Sequence, residues 1–144
     1  MEETYQLTSA LRHLPWGKQL ALLTDARFSG VSTGACIGHI GPEALCGGPL
    51  GRVRDDDLIE VVIDLRKMTG RVDLVGDADG RHGADWGREE LSRRPRRDDL
   101  VAAENLPDDT RLWAALQGVS GGTWGGCVYD VDAVLERLGM DWKR

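Results

Sequence analysis

Residues 25–52 read DARFSGVSTGACIGHIGPEALCGGPLGR, and the reading of the whole chain turns on this stretch. It holds Gly30, Gly34, Gly38, Gly41, Gly47, Gly48 and Gly51, so seven of the 19 glycines fall within 28 residues. Glycine loses more backbone freedom on folding than any other residue, so this density points to tight turns or close approach of main chain. Just upstream, Leu20-Ala21-Leu22-Leu23-Thr24 is a short apolar run that reads as a buried strand. A strand ending at Thr24-Asp25, then Ala26-Arg27-Phe28-Ser29-Gly30 and a helix, sets polar side chains at a strand's carboxyl end. Sites are commonly built there in sheets with helical crossovers. On such a helix Gly30, Gly34 and Gly38 form one smooth stripe, and the N–H groups of Val31 to Thr33 are placed to receive a carboxylate or phosphate. The spacing is neither GxGxxG nor GxxxxGKS, so no nucleotide fingerprint applies.

Working outward, Leu58 to Ile63 (LIEVVI) reads as a strand, preceded by the turn Arg54-Asp55-Asp56-Asp57. Arg71 to Val75 alternates with period two and is expected to pair with it. Residues 77–107 are polar and rich in Arg and Asp, which reads as a solvated surface segment or helix. A helix is expected over Asp108 to Leu116, with acidic residues at its start. Gly121 to Gly126 forms a second glycine loop, and Val131 to Leu138 a final amphipathic helix. At the other end, Thr8 to Leu14 is expected to be a short helix stopped by Pro15 and Gly17. This order suits an α+β arrangement or a barrel-like sheet with helices outside.

Composition bounds the function. The chain has 144 residues, net charge −6 and 41% apolar side chains, which suits a single domain over 1–144. Area scaling predicts roughly 7,300 Å² exposed when folded against about 22,900 Å² unfolded, so about 68% buried and a real core. A pI near 5.0 argues against nucleic acid, which calls for a basic footprint. No apolar run approaches the ~20 residues of a membrane span. Met1-Glu2-Glu3 is not the start of a secretory signal, and three cysteines without a CxxC pair fit reduced thiols in a cytoplasm.

TDARFSGVSTGACIGHIGPEA (residues 24–44) together with GGPLGRVRDDDLIEVVID (residues 47–64) resembles the C-terminal domain of the dihydroxy-acid and 6-phosphogluconate dehydratase family. The tail GGTWGGCVYDVDAV and the opening EETYQLTSAL resemble its sugar-acid branch, the D-xylonate dehydratases. The resemblance implies an α/β fold, a swivelling β/β/α domain whose barrel-like mixed sheet is flanked by helices. It implies a hydro-lyase: the C2 proton of an aldonate is removed, the C3 hydroxyl leaves, and the enol rearranges to a 2-keto-3-deoxy acid. It also implies an iron–sulfur cluster and Mg²⁺ as Lewis acids, seated between this domain and a large N-terminal domain that this chain lacks. On that basis neither cofactor is expected to bind this chain alone. The partners implied are a sugar acid, an N-terminal dehydratase domain or full-length homologue, and further copies in a homo-oligomer, with no nucleic acid and no membrane.

Residue by residue, the resemblance makes Ser29 the base that takes the C2 proton; the bland alternative is a turn serine bonded to local backbone. Glu3 falls at the position of a magnesium carboxylate, the hard oxygen ligand that cation prefers; the bland alternative is a solvated terminal glutamate. Arg27 is placed to pair with a substrate carboxylate in bidentate fashion, or to tie Asp25 or Glu43 into a salt bridge. Val31 carries no hydroxyl, which leaves Ser32 and Thr33 as substrate contacts. His39 reads as a structural histidine rather than a proton shuttle. Cys36, Cys46 and Cys127 match no cluster spacing and read as small buried or half-buried residues. Trp124 reads as a packing residue, with stacking on a sugar acid as the alternative. The family turn reads Arg-Asp-Gly-Asp, so Asp56 stands where a positive φ is expected, which Asp tolerates better than most residues. A competing reading is a non-catalytic remnant, or a stand-alone module that binds carboxylates or docks to a full-length relative.

Overall fold

The structure is a computed structural model and describes residues 4–141. Nine regular elements run in the order α1 (Tyr5–Leu11), β1 (Ala21–Leu23), β2 (Ala35–Ile37), β3 (Leu58–Asp64), β4 (Thr69–Asp77), β5 (Gly80–Arg81), α2 (Ala84–Arg93), α3 (Asp108–Val119) and α4 (Val131–Leu138), joined by 3-10 turns. The fold is mixed α/β. The described residues form two open sheets and no closed barrel: β1 and β2 make a parallel pair, and β3, β4 and β5 an antiparallel sheet. The barrel expectation fails because β1 and β2 are three residues each and their ladder does not reach β3–β5.

The β3–β4 hairpin follows its sequence pattern. Register runs from Leu58 opposite Gly76 to Asp64 opposite Thr69, with one irregularity between Leu58 and Ile59. The hairpin turn is closed by Asp64, whose Oδ1 accepts the N–H groups of Arg66 (2.9 Å) and Lys67 (3.0 Å), the usual way Asp stabilises a turn. On one face Glu60 meets Arg71 at 2.7 Å and also pairs with Arg81 across the sheet. Nearer the middle of the fold, Leu74 and Val75 of β4 are buried, and α2 packs against β4. That packing needs Gly87: a Cβ there would lie 1.7 Å from the Leu74 carbonyl oxygen.

The Arg/Asp-rich segment is more than a solvated face. It contains α2, and Arg94 just after it reaches Asp57 at 2.6 Å, with only 10% and 2% of the two side chains exposed. Arg52 Nη1 donates to Leu91 O at 2.8 Å and Ser92 O at 3.3 Å, placing a cation on the last carbonyls of α2. The two C-terminal helices end where the caps dictate. Asp130 accepts the Ala133 N–H at 3.0 Å to start α4, and Gly139 closes it at φ 67°. No helix among the described residues is long and apolar enough to cross a membrane.

The expected core is thin. The chain exposes 11,005 Å², so it buries only about half of its unfolded surface instead of about 68%. Among the described residues, the buried apolar side chains are Ala44, Leu74 and Val75, while Leu65, Met68, Trp113 and Val128 stand more than 60% exposed.

Candidate functional site: the turn after the first strand

The parallel pair builds the site. Ala21, Leu22 and Leu23 lie opposite Ala35, Cys36 and Ile37. The ladder then continues past the strands: Thr24 N–H donates to Ile37 O (3.0 Å), Ile40 N–H to Thr24 O (3.2 Å) and His39 N–H to Ala26 O (2.8 Å). Residues 24–26 therefore run on beside residues 37–40, and residues 27–34 cross back to the opposite end of the parallel pair to begin β2. No helix forms between the strands, contrary to expectation. Gly34 sits at φ 97° and the Ser32 N–H closes a turn onto Ser29 O at 3.0 Å, so the segment bends back too soon for a helix. Gly30, Gly34 and Gly38 accordingly form no helical stripe. Gly38 lies instead in the return path, 3.0 Å from the Phe28 ring measured from a built Cβ.

Within this turn Ser29 is half-buried and its Oγ accepts the Val31 N–H at 3.3 Å. That is the contact of a turn serine. It is also a contact that favours a negatively charged oxygen over a neutral hydroxyl. Ser29 Oγ–H has no acceptor among the described residues. Helix α1 packs on the same turn: Thr4 N–H donates to Arg27 O at 2.8 Å, and the buried Thr8 hydroxyl lies 3.4 Å from Ser32 Oγ. Arg27, Ser29 and Ser32 thus share one small unit. Thr33 leaves it, turning toward a separate cavity beside α1. Glu3 lies outside the described residues.

The rest of the glycine-rich stretch is held by carboxylates acting on backbone and hydroxyl. Asp25 Oδ2 accepts the N–H of buried Ala44 at 2.7 Å, and Glu43 Oε2 accepts the Thr123 hydroxyl. Neither acid forms the salt bridge with Arg27 that its position suggests. The turn at Gly48 packs so closely that a Cβ would meet Pro42 O at 1.6 Å. His39 is exposed at φ 54° and acts through its backbone. The second glycine loop docks here too: Trp124 Nε1 donates to Cys46 O at 2.8 Å, and Thr123 Oγ1 lies 3.8 Å from Cys46 Sγ and 3.9 Å from Cys127 Sγ. Trp124 is 71% exposed, so it is anchored by its N–H and not by packing. Cys36 is half-buried as expected, but Cys46 and Cys127 are exposed, because both lie on glycine loops at the surface.

Sequence reasoning identified both glycine loops but missed that one seats on the other. Thr123 and Trp124, two donors inside a glycine loop, were the available signal. Among the described residues no group of three or more His, Cys, Asp or Glu gathers as a metal site. The side chains described here therefore do not fit an iron–sulfur cluster or a magnesium ion, and the two exposed thiols share only one hydroxyl.

The family described as dihydroxy-acid/6-phosphogluconate dehydratase C-terminal matches residues 1–108. This chain belongs to that family. The D-xylonate dehydratase YagF of Escherichia coli is 61% identical over 143 residues, covering 99% of this chain and 22% of that protein. YjhG, a second D-xylonate dehydratase of Escherichia coli, is 57% identical over 136 residues, covering 93% of this chain and 21% of that protein. A dihydroxy-acid dehydratase of Nocardioides is 41% identical over 96 residues, covering 66% of this chain and 16% of that protein. The chain thus spans about a fifth of the length of the xylonate dehydratases it matches. No solved structure matches it.

Proposed function

We propose that the chain is the C-terminal, swivelling part of a sugar-acid dehydratase acting on an aldonate such as D-xylonate. The observation that carries this reading is where the likeness extends. The family match ends at residue 108, whereas the likeness to YagF runs over 99% of the chain and so takes in nearly all of residues 109–144. That segment supplies Thr123 and Trp124, which are bonded to Glu43 and Cys46 of the glycine-rich stretch. A polyhydroxy acid needs more hydroxyl and aromatic contacts than a branched dihydroxy acid, and this extra segment sets both beside the motif.

In this reading Ser29 takes the C2 proton once its own is lost, and the Val31 N–H steadies the resulting alkoxide. Arg27 receives the substrate carboxylate, with Ser32, and Thr33 at the far side of the turn, offering hydroxyls to the substrate's own. The C3 hydroxyl then departs as water and the enol becomes a 2-keto-3-deoxy acid. Removing the Ser29 proton and aiding departure of the C3 hydroxyl fall to groups outside the described residues. Glu3 keeps the ligand role that its motif position implies, and the thinly covered surface is where a large N-terminal domain, with its cofactors, would sit.

The test is a chimera in which this chain replaces the matching segment of YagF, assayed for keto-acid formation from D-xylonate. Turnover is expected, falling by about 10²–10⁴-fold with Ser29→Ala. A Ser29→Ala chimera with near-full turnover would remove Ser29 from the chemistry. A folded chimera that dehydrates dihydroxy acids but not xylonate would refute the sugar-acid assignment. One inactive on both would favour a non-catalytic docking module.

A further inference from the structure

A cavity of about 440 Å³ lies between α1, the turn at Gly17–Lys18 and the β1–β2 pair. This size is ordinary for a small-molecule site. Its walls are mainly apolar, Leu11, Leu20, Leu22 and Ala35 among them, and Arg12, Lys18 and Thr33 add polar groups. Ser29, Arg27 and Ser32 are not among its walls, so it lies beside the turn described above and shares with that turn's proposed substrate contacts only Thr33.

Charge gives the cavity its character. The chain carries net charge −6, yet from residue 4 to residue 42 Asp25 is its only acidic residue. Asp25 directs its carboxylate at the Ala44 N–H. Seven arginines, Arg71, Arg81, Arg88, Arg93, Arg94, Arg97 and Arg111, are paired with carboxylates, while Arg52 and Arg96 reach backbone carbonyls. Arg12 and Lys18, like Arg54, Arg66, Lys67 and Arg137, have no carboxylate partner among the described residues, and what sets these two apart is that both line this one cavity with no acidic side chain among its walls. The Thr33 hydroxyl there is likewise without a hydrogen-bond partner among the described residues. The Thr8 hydroxyl is already committed to Tyr5 O at 2.8 Å.

We propose that this cavity binds a small organic carboxylate, its apolar body against Leu11, Leu20 and Leu22 and its carboxylate between Arg12 and Lys18. A bare inorganic anion would gain the charges but leave the leucine wall unused. A neutral apolar molecule would gain the wall but nothing from the two cations, which would keep their water. The combination selects an amphiphilic anion.

The full chain, isotopically labelled, is titrated with hexanoate, hexanamide and inorganic phosphate while backbone amide shifts are followed by NMR. Hexanoate is expected to shift the amides of Leu22, Thr33 and Ala35 saturably, with hexanamide and phosphate at least about threefold weaker. Arg12→Gln with Lys18→Gln is expected to weaken hexanoate by about tenfold, the range that two exposed charge contacts supply. Both residues are exposed, so unchanged shift dispersion elsewhere verifies that the variant is folded. The proposal is overturned if hexanamide or phosphate binds as tightly as hexanoate, if the double variant binds hexanoate unchanged, or if no saturable shift occurs.

Discussion

Replacing Arg94 by Met should destabilise this chain more than almost any other single charge removal. Arg94 Nη1 lies 2.6 Å from Asp57 Oδ2, with 2% of the Asp57 side chain exposed. Its Nε lies 3.0 Å from Glu90 Oε1. The bond to Asp57, first among the causes, raises the Arg94 pKa above its already high ordinary value. Without the guanidinium, the Asp57 carboxylate keeps the Arg54 N–H at 2.8 Å and no cation. Breaking a buried pair from one side costs about 3–5 kcal/mol; since Arg94 is 10% exposed and water reaches it, the low end, about 3 kcal/mol, applies. For a chain of this size that is a fall of about 6–12 °C in melting temperature, out of a total stability of ~5–15 kcal/mol. Removing both charges, Arg94→Met with Asp57→Asn, strands no ion, and the amide oxygen still accepts the Arg54 N–H. The double variant should therefore regain about half the loss. Circular-dichroism melts of the parent, the two single variants and the double variant form a complete cycle. A fall below about 3 °C for Arg94→Met, or a double variant as unstable as the sum of the singles, would refute the reasoning.

Two further perturbations follow from the packing and the charges. Gly87→Ala forces a methyl against Leu74 O at the contact of α2 with β4 and should cost about 1–3 kcal/mol despite better helix propensity. Gly118→Ala in α3 meets nothing within 4 Å and should gain about 0.5 kcal/mol; urea titration of the pair reads the opposite signs. Acid should unfold the chain through its paired carboxylates. Arg81 lowers the Glu60 pKa below its ordinary 4.5, and Arg94 does the same for Glu90. A lowered folded-state pKa means that the unfolded chain binds protons first as pH drops. That stabilisation is complete above about pH 5 and fades as pH falls through the folded-state values. Urea midpoints should hold from pH 7 to about pH 5 and then decline; an unchanged midpoint at pH 3 would contradict the pairing.

What was legible in the sequence was local. LIEVVI over residues 58–63 and the alternation after Arg71 gave the β3–β4 hairpin, because a period of two repeats within one element. Val131 to Leu138 is helical at the expected bounds, since Asp130 and Gly139 cap it. Asp56 has φ 66°, as its place in the turn required. The first helix starts at Tyr5 and not Thr8: Thr8 turns its hydroxyl back onto Tyr5 O, so it sits inside the helix instead of capping it. Illegible were the contacts that join distant segments. Asp57 with Arg94, Glu43 with Thr123, and Cys46 with Trp124 are 37 to 80 residues apart, and no local pattern encodes such a partner. The missing helix after Ser29 has the same origin. Three residues of parallel pairing settle where residues 24–34 must return, and local propensity yields to that.

The half-buried character of the chain also shapes how its stability responds to temperature and denaturant. Both the heat-capacity change of unfolding and the sensitivity to urea scale with the surface newly exposed. A chain that already shows 11,005 Å² has less to expose, so its stability curve is flat and its unfolding transition broad. A partner that covered the exposed leucines and tryptophans would steepen both. The sharpness of the melt, and not only its midpoint, therefore reports whether this surface is covered.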